Sequence, residues 1–177
     1  SYFGQYDTAG FPKDSAYVFR AEWTDYKKAP FVHIFPHWDF NEGQPVDVRV
    51  CSNAPRVELF LNGESQGALD IDHKHGQKLT SDYIIPYHKG ELRAVAYDEN
   101  GNIIAEDTAR SFGDAVKLEA VPDKTVLHAD SSDLIYIEIA AYDENGIFCA
   151  NASNRAEAEL GWKPRYTLID DIIRTEL

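Results

Sequence analysis

The sequence predicts a mainly β protein: an antiparallel β-sandwich, a second and incomplete sandwich after it, and a helix near each end. Three observations carry this. Short apolar–polar alternations recur from residue 31 onward, separated by turn-rich stretches. An Asn-Gly pair joins two of them in VELFLNGESQG (57–67), the mark of a tight hairpin. Helical spacing is confined to residues 12–25 and to the final dozen residues.

The first helix is read from PKDSAYVFRAEWTD (12–25). Pro12 suits the first helical position, Asp14 suits the positive end of the dipole, and no breaker follows until Pro30. Ala16, Phe19, Arg20 and Trp23 share one face, and Tyr17, Val18 and Ala21 widen the apolar stripe. Such a helix needs cover on more than one side.

After Pro30 the period changes to two. FVHIF (31–35) reads as a strand closed by Pro36. Val46, Val48 and Val50 alternate with Asp47, Arg49 and Cys51, and Val57, Leu59 and Leu61 alternate with Glu58, Phe60 and Asn62. Further strands are expected near 82–87, 91–97 and 103–109. This spacing suits an immunoglobulin-like sandwich.

A second module is expected from Ala115. VKLEAV is a strand, PDKTVLHADSSD a loop holding a short strand, and LIYIEIAAY (134–142) a long strand. AVAYDENGNII (94–104) and IAAYDENGIFC (139–149) echo each other as strand, Asn-Gly turn and returning strand. A sandwich of this type needs about 100 residues, and only 63 remain from Ala115. In YTLIDDIIRTEL, Thr167 with Asp170 resembles a capping box before Leu168, Ile169, Ile172 and Ile173 at helical spacing.

Composition narrows the function classes. The net charge is −13, from 30 acidic and 17 basic residues. Such a surface repels phosphate backbones and anionic membranes, so neither nucleic acid nor a membrane is an expected partner. No apolar run approaches the roughly 20 residues that span a bilayer. Ser1 opens in mid-sequence, which suggests a piece of a longer protein whose compartment cannot be read. Cys51 and Cys149 are expected as buried, unpaired thiols.

Candidate chemistry is thin. His73 and His75, with Asp70 and Asp72, form a polar turn that lacks further ligands at a metal-binding spacing. His33 and His37 flank IFP beside Trp38 and read as strand-end histidines packed on aromatics. The DENG turns carry Asp98 with Asn100 and lack the distal Glu of a calcium loop. Solvation should keep Asp98, Glu99, Asp143 and Glu144 ionised, which leaves no general acid among them at neutral pH. No nucleophile elbow or phosphate loop is present, and NAS (151–153) is a glycosylation sequon in form. The sequence therefore points to no catalytic residue, metal ligand set or cofactor site. Trp38, Phe40, Tyr83 and Tyr87 are either a flat sugar-stacking platform or packed rings between layers.

HIFPHWDFNEGQPVDVRVCSNAPRVELFLNGESQG (33–67) resembles the segment after the catalytic barrel in β-galactosidase-like glycoside hydrolases of family 2. DTAGFPKDSAYVFRAEWTD (7–25) resembles the end of that barrel, and residues 115–155 resemble the next sandwich. The resemblance implies four regions: the last barrel helix (1–28), an immunoglobulin-like sandwich (29–112), a truncated second sandwich (113–153) and a tail (154–177). It implies retaining exo-glycosidase chemistry carried by two glutamates on barrel strands, and no position here matches either motif. The partners it implies are the upstream barrel, a homo-oligomer contact and carbohydrate. Phe11 and Lys13, in the GFPKD loop, could touch substrate at the barrel mouth or could simply cap the helix and close the barrel. Trp38 is the third candidate for substrate contact. In the alternative reading the sandwich is a carbohydrate-binding module. The tail NRAEAELGWKPRYTLIDDIIRTEL resembles the C-terminus of nucleotide-sugar epimerases, without a dinucleotide fingerprint.

Overall fold

The computed structural model describes residues 3–76, 78–126, 128 and 132–153. The chain divides into two compact units, Ser1–Ser111 and Phe112–Leu177. The epimerase-like tail and its helix lie outside the described residues.

Among its described residues the first unit holds one helix and seven strands. They are α1 (Asp14–Trp23), β1 (Val32–Phe35), β2 (Pro45–Ser52), β3 (Arg56–Leu61), β4 (Glu64–Asp70), β5 (Thr80–Pro86), β6 (Glu91–Tyr97) and β7 (Ile103–Arg110). All pair antiparallel, as a three-stranded sheet β1-β2-β5 and a four-stranded sheet β4-β3-β6-β7. The alternation works as expected. Val46, Val48 and Val50 of β2 and Val57, Leu59 and Leu61 of β3 are buried in one core, with Tyr83, Ile85, Leu92, Ala94 and Ala96.

One local turn sets the sheet to which β4 belongs. Asn62 and Gly63 both take positive φ, 51° and 84°, as the tight hairpin turn demands. Leu61 therefore faces Glu64 directly, and β4 must lie beside β3. In the immunoglobulin constant arrangement the fourth strand returns to the first sheet; here the two-residue turn holds it on the second. The echoing turn at 98–102 is built differently. Gly101 alone turns left-handed, and the Asp98 side chain accepts the Asn100 and Asn102 backbone N–H groups.

Side chains stitch the two open margins of this sandwich. On one side the Ile34 N–H of β1 donates to Asp107 Oδ2 of β7 at 2.9 Å. On the other, the Tyr83 hydroxyl of β5 donates to the Gly67 carbonyl of β4 at 3.2 Å.

The helix is shorter than expected. Pro12 is not its first residue, because it bridges to Tyr6 and the Lys13 N–H donates to the Gln5 carbonyl. That keeps the chain extended through Lys13, the N-cap residue at φ −86° and ψ 163°.

The second unit is described as one antiparallel pair, β8 (Lys117–Pro122) and β9 (Ile137–Tyr142). Strand β9 starts three residues later than the alternation suggests. Asp123 and Tyr136 close the ladder instead, through Asp123 N–H to the Tyr136 carbonyl and Tyr136 N–H to the Asp123 carboxylate. The short strand expected in the intervening loop is not found among the described residues. The return after the second DENG turn is a single bridge, Tyr142 to Phe148. A small cluster of Phe112, Ala115 and Cys149 forms the core of this unit, while Val121, Ile137 and Ile139 remain exposed.

Candidate functional site

Helix α1 has two unlike faces. Its inner face packs on the outside of the β1-β2-β5 sheet, where Ala21 meets Phe31 and Cys51 and is flanked by Tyr17, Val18 and Phe35. The Tyr17 ring stacks on His33 at 3.7 Å, and the Arg20 guanidinium lies over Phe31 at 4.3 Å. Histidine–carboxylate contacts tie both ends of the helix to the sandwich. His33 lies 3.7 Å from Asp14 and 3.4 Å from Asp107, and His73 Nδ1 lies 2.8 Å from Glu22 Oε1. Burial, helped by the Asp14 and Asp107 carboxylates and only weakly opposed by Arg20, pushes the Cys51 thiol up to about 12, so it is inert packing; both cysteines are buried.

The outer face is bare. Phe19 and Trp23, one turn apart, contact each other at 5.2 Å, and Trp23 is 79% exposed. Phe3, Tyr6 and Phe11 add three more exposed rings on the segment leading into the helix. The helical periodicity of the sequence marks Phe19 and Trp23 as apolar, yet the sandwich takes the opposite stripe, where alanine allows close approach.

The loop candidates are placed as follows. Phe11 is half exposed, with its N–H on the Asp7 carboxylate. That bond, with the one from Ala9, holds Asp7 below its usual range. Lys13 Nζ donates to the Phe3 carbonyl at 3.1 Å. The Phe11 backbone and the Lys13 side chain therefore belong to the turn that precedes α1, while the Phe11 ring is half exposed. Trp38 is fully buried, with Nε1 donating to the His88 carbonyl at 3.1 Å and Tyr87 4.9 Å away. Tyr83 and Tyr87 are buried too. Of the two readings of these rings, the burial of Trp38, Tyr83 and Tyr87, with Phe40 partly buried against the same core, supports packing between the sheets.

Three of the histidines of interest are held in place by neighbours. His33 stacks on Tyr17 and lies near Phe35, His37 stacks on Phe40, and His75 pairs with Asp72. Among the described residues no group of three or more His, Cys, Asp or Glu is arranged to hold a metal.

A groove of about 430 Å³ runs beneath the end of α1, lined by Glu22, Asp25, Tyr26, Asp72, His73 and Glu99, among others. It combines carboxyls with an aromatic ring, so it must be weighed as a hydrolytic cleft. Glycoside hydrolysis needs one carboxyl kept protonated. Glu22 is engaged by His73. The adjacent Tyr26 hydroxyl, and then Lys27, hold Glu99 below its usual range. Burial raises Asp72, but the His75 ring and N–H outweigh this and leave it lowered. The DENG aspartates are low as well. Bonds from Asn102 lower Asp98, and the Gly113 N–H followed by that of Ile147 lowers Asp143. The cause is corrected for Asp143, which is buried and held by N–H donors rather than by solvent.

Residues 43–105 match a family described as a domain of unknown function, DUF4982. The β-galactosidase BoGH2A of Bacteroides ovatus is 37% identical over 157 residues, an alignment covering 87% of this chain and 17% of that protein. A glycosyl hydrolase family 2 member from Bacteroides cellulosilyticus superposes with a TM-score of 0.74 at 33% identity, over 84% of this chain and 22% of that one. The relatives of this chain are family 2 glycoside hydrolases. A β-glycosidase from Bacteroides vulgatus superposes with a TM-score of 0.73 at 32% identity, over 83% of this chain and 18% of that one. The chain thus spans less than a fifth of the length of the curated relatives it matches.

Proposed function

We propose that this chain is a non-catalytic β region of a family 2 glycoside hydrolase, placed after the barrel, and that it supports the barrel through the outer face of α1. The observation that carries this is the division of α1. One stripe is sealed against the sandwich, while Phe19 and Trp23 stand open, and Phe3, Tyr6 and Phe11 on the segment leading into the helix are exposed as well. A contacting pair of exposed aromatics such as Phe19 and Trp23 supports a surface that meets another protein surface. Hydrolysis of a β-galactoside would belong to the parent enzyme, since neither family glutamate motif occurs in this sequence. The half-covered β8–β9 pair belongs to the same reading, as the beginning of a second sandwich. The epimerase resemblance of 154–177 adds no function, because no dinucleotide fingerprint accompanies it. The test is an assay of the purified chain with a nitrophenyl β-galactoside. No turnover above a mock purification is expected, and turnover that co-purifies with the chain would overturn the proposal.

A further inference from the structure

The connection from α1 to β1 is held by two consecutive side chains at the end of β2. Asn53 is 3% exposed and Ser52 is fully buried. The Asn53 amide nitrogen donates to Ala29 O and Thr24 Oγ1, each at 2.9 Å, and to Thr24 O at 3.3 Å, while its Oδ1 accepts the Phe31 N–H at 3.0 Å. Ser52 Oγ donates to the Phe31 carbonyl at 2.7 Å and accepts the Ala54 N–H at 3.0 Å. Thus both backbone groups of Phe31 are fastened, and one side chain spans the exit of the helix and the entry to β1.

We infer that Ser52 and Asn53 form a clasp that fixes α1 on the sandwich, with Asn53 as the positioning residue for the aromatic face. A ten-residue helix is too short to persist alone in water. Its apolar contact is modest, since its buried residues are two alanines, with Tyr17 and Val18 partly buried beside them. The burden of orientation therefore falls on directional bonds, and Asn53 makes bonds to both flanks of the connection. The docking role of the aromatic face rests on the reading above; control of α1 by the clasp does not.

Asn53→Asp is the sharpest test. It keeps an oxygen for the Phe31 N–H but sets a carboxylate oxygen against the Thr24 and Ala29 carbonyls, where acceptor meets acceptor. Hydrogen exchange and NMR on the full 177-residue chain read the result. The α1 amides should lose protection by at least about tenfold, and the His33 ring should lose the ring-current shift imposed by Tyr17. Meanwhile β3 and β6 should stay protected. Unchanged α1 protection together with an unchanged His33 shift would overturn the inference. Should Asn53→Asp not fold, Ser52→Ala removes the donor to the Phe31 carbonyl, leaves the bond of the Thr24 hydroxyl to the Arg20 carbonyl in place, and is read in the same way. Release of the whole sandwich by that variant as well would make these residues part of the core and defeat the inference.

Discussion

Trp23→Ser should behave very differently in this chain and in a longer enzyme that carries it. Trp23 is 79% exposed here, and among the described residues its ring contact is Phe19. Serine has nearly the helix propensity of tryptophan, so the backbone cost is small. Loss of the Phe19 contact and of a little buried surface should cost about 0.5 kcal/mol. At a urea slope of about 1–3 kcal/mol per molar, the midpoint by circular dichroism should move by less than about 0.5 M. Behind a barrel, the same side chain would be buried, and removing a buried tryptophan costs about 3–5 kcal/mol. There, the urea midpoint for loss of hydrolytic activity should fall by about 1 M or more. Leu59→Ala is the control, since Leu59 is fully buried within the sandwich and should cost about 2–5 kcal/mol in either setting. Equal shifts for Trp23→Ser in both settings would refute the reasoning, because the outer face of α1 would then have no partner to lose.

Two further perturbations follow from the geometry. A Cβ at Gly90 would lie 1.8 Å from Asn62 Oδ1, at a φ of +144° that side chains rarely adopt. Since Asn62 also holds the Lys89 carbonyl and the Glu91 N–H, Gly90→Ala should destabilise by more than about 2 kcal/mol in urea titration, and a loss within 0.5 kcal/mol would contradict this. Asp107 is lowered although its burial raises it, because His33 and the Ile34 N–H favour the carboxylate. A depressed folded value means that its contribution is present above about pH 4 and is lost as pH falls through the folded value. Asp107→Asn should therefore flatten the acid limb of the stability curve, and an unchanged slope below pH 4 would sink the idea.

The strands were largely legible in the sequence because each depends on neighbours within a few residues. Valines at 46, 48 and 50 and the apolar set at 57, 59 and 61 alternate in the sequence and are buried in the structure. Asn62-Gly63 names its own turn and, through it, the sheet of β4. The face of α1 was not legible, because the choice of stripe depends on Phe31 and Cys51, which close packing suits only opposite Ala21. Trp38 admitted two readings, since a ring in a core and a ring on a platform are written with the same letter. The clasp of Ser52 and Asn53 gave no signal: the groups they hold on the connection, from Thr24 to Phe31, lie more than twenty positions upstream.

The stitched margins of the first sandwich bear on how this polypeptide behaves when concentrated. An exposed strand is a template on which a foreign backbone can lengthen the ladder, the route to cross-β fibres. Here Asp107 occupies the Ile34 amide and Tyr83 occupies the Gly67 carbonyl, so each rim already has an internal occupant. Crowded molecules should then meet through aromatic side chains and separate again on dilution. Removing the Asp107 carboxylate would uncover an amide that an invading chain could claim.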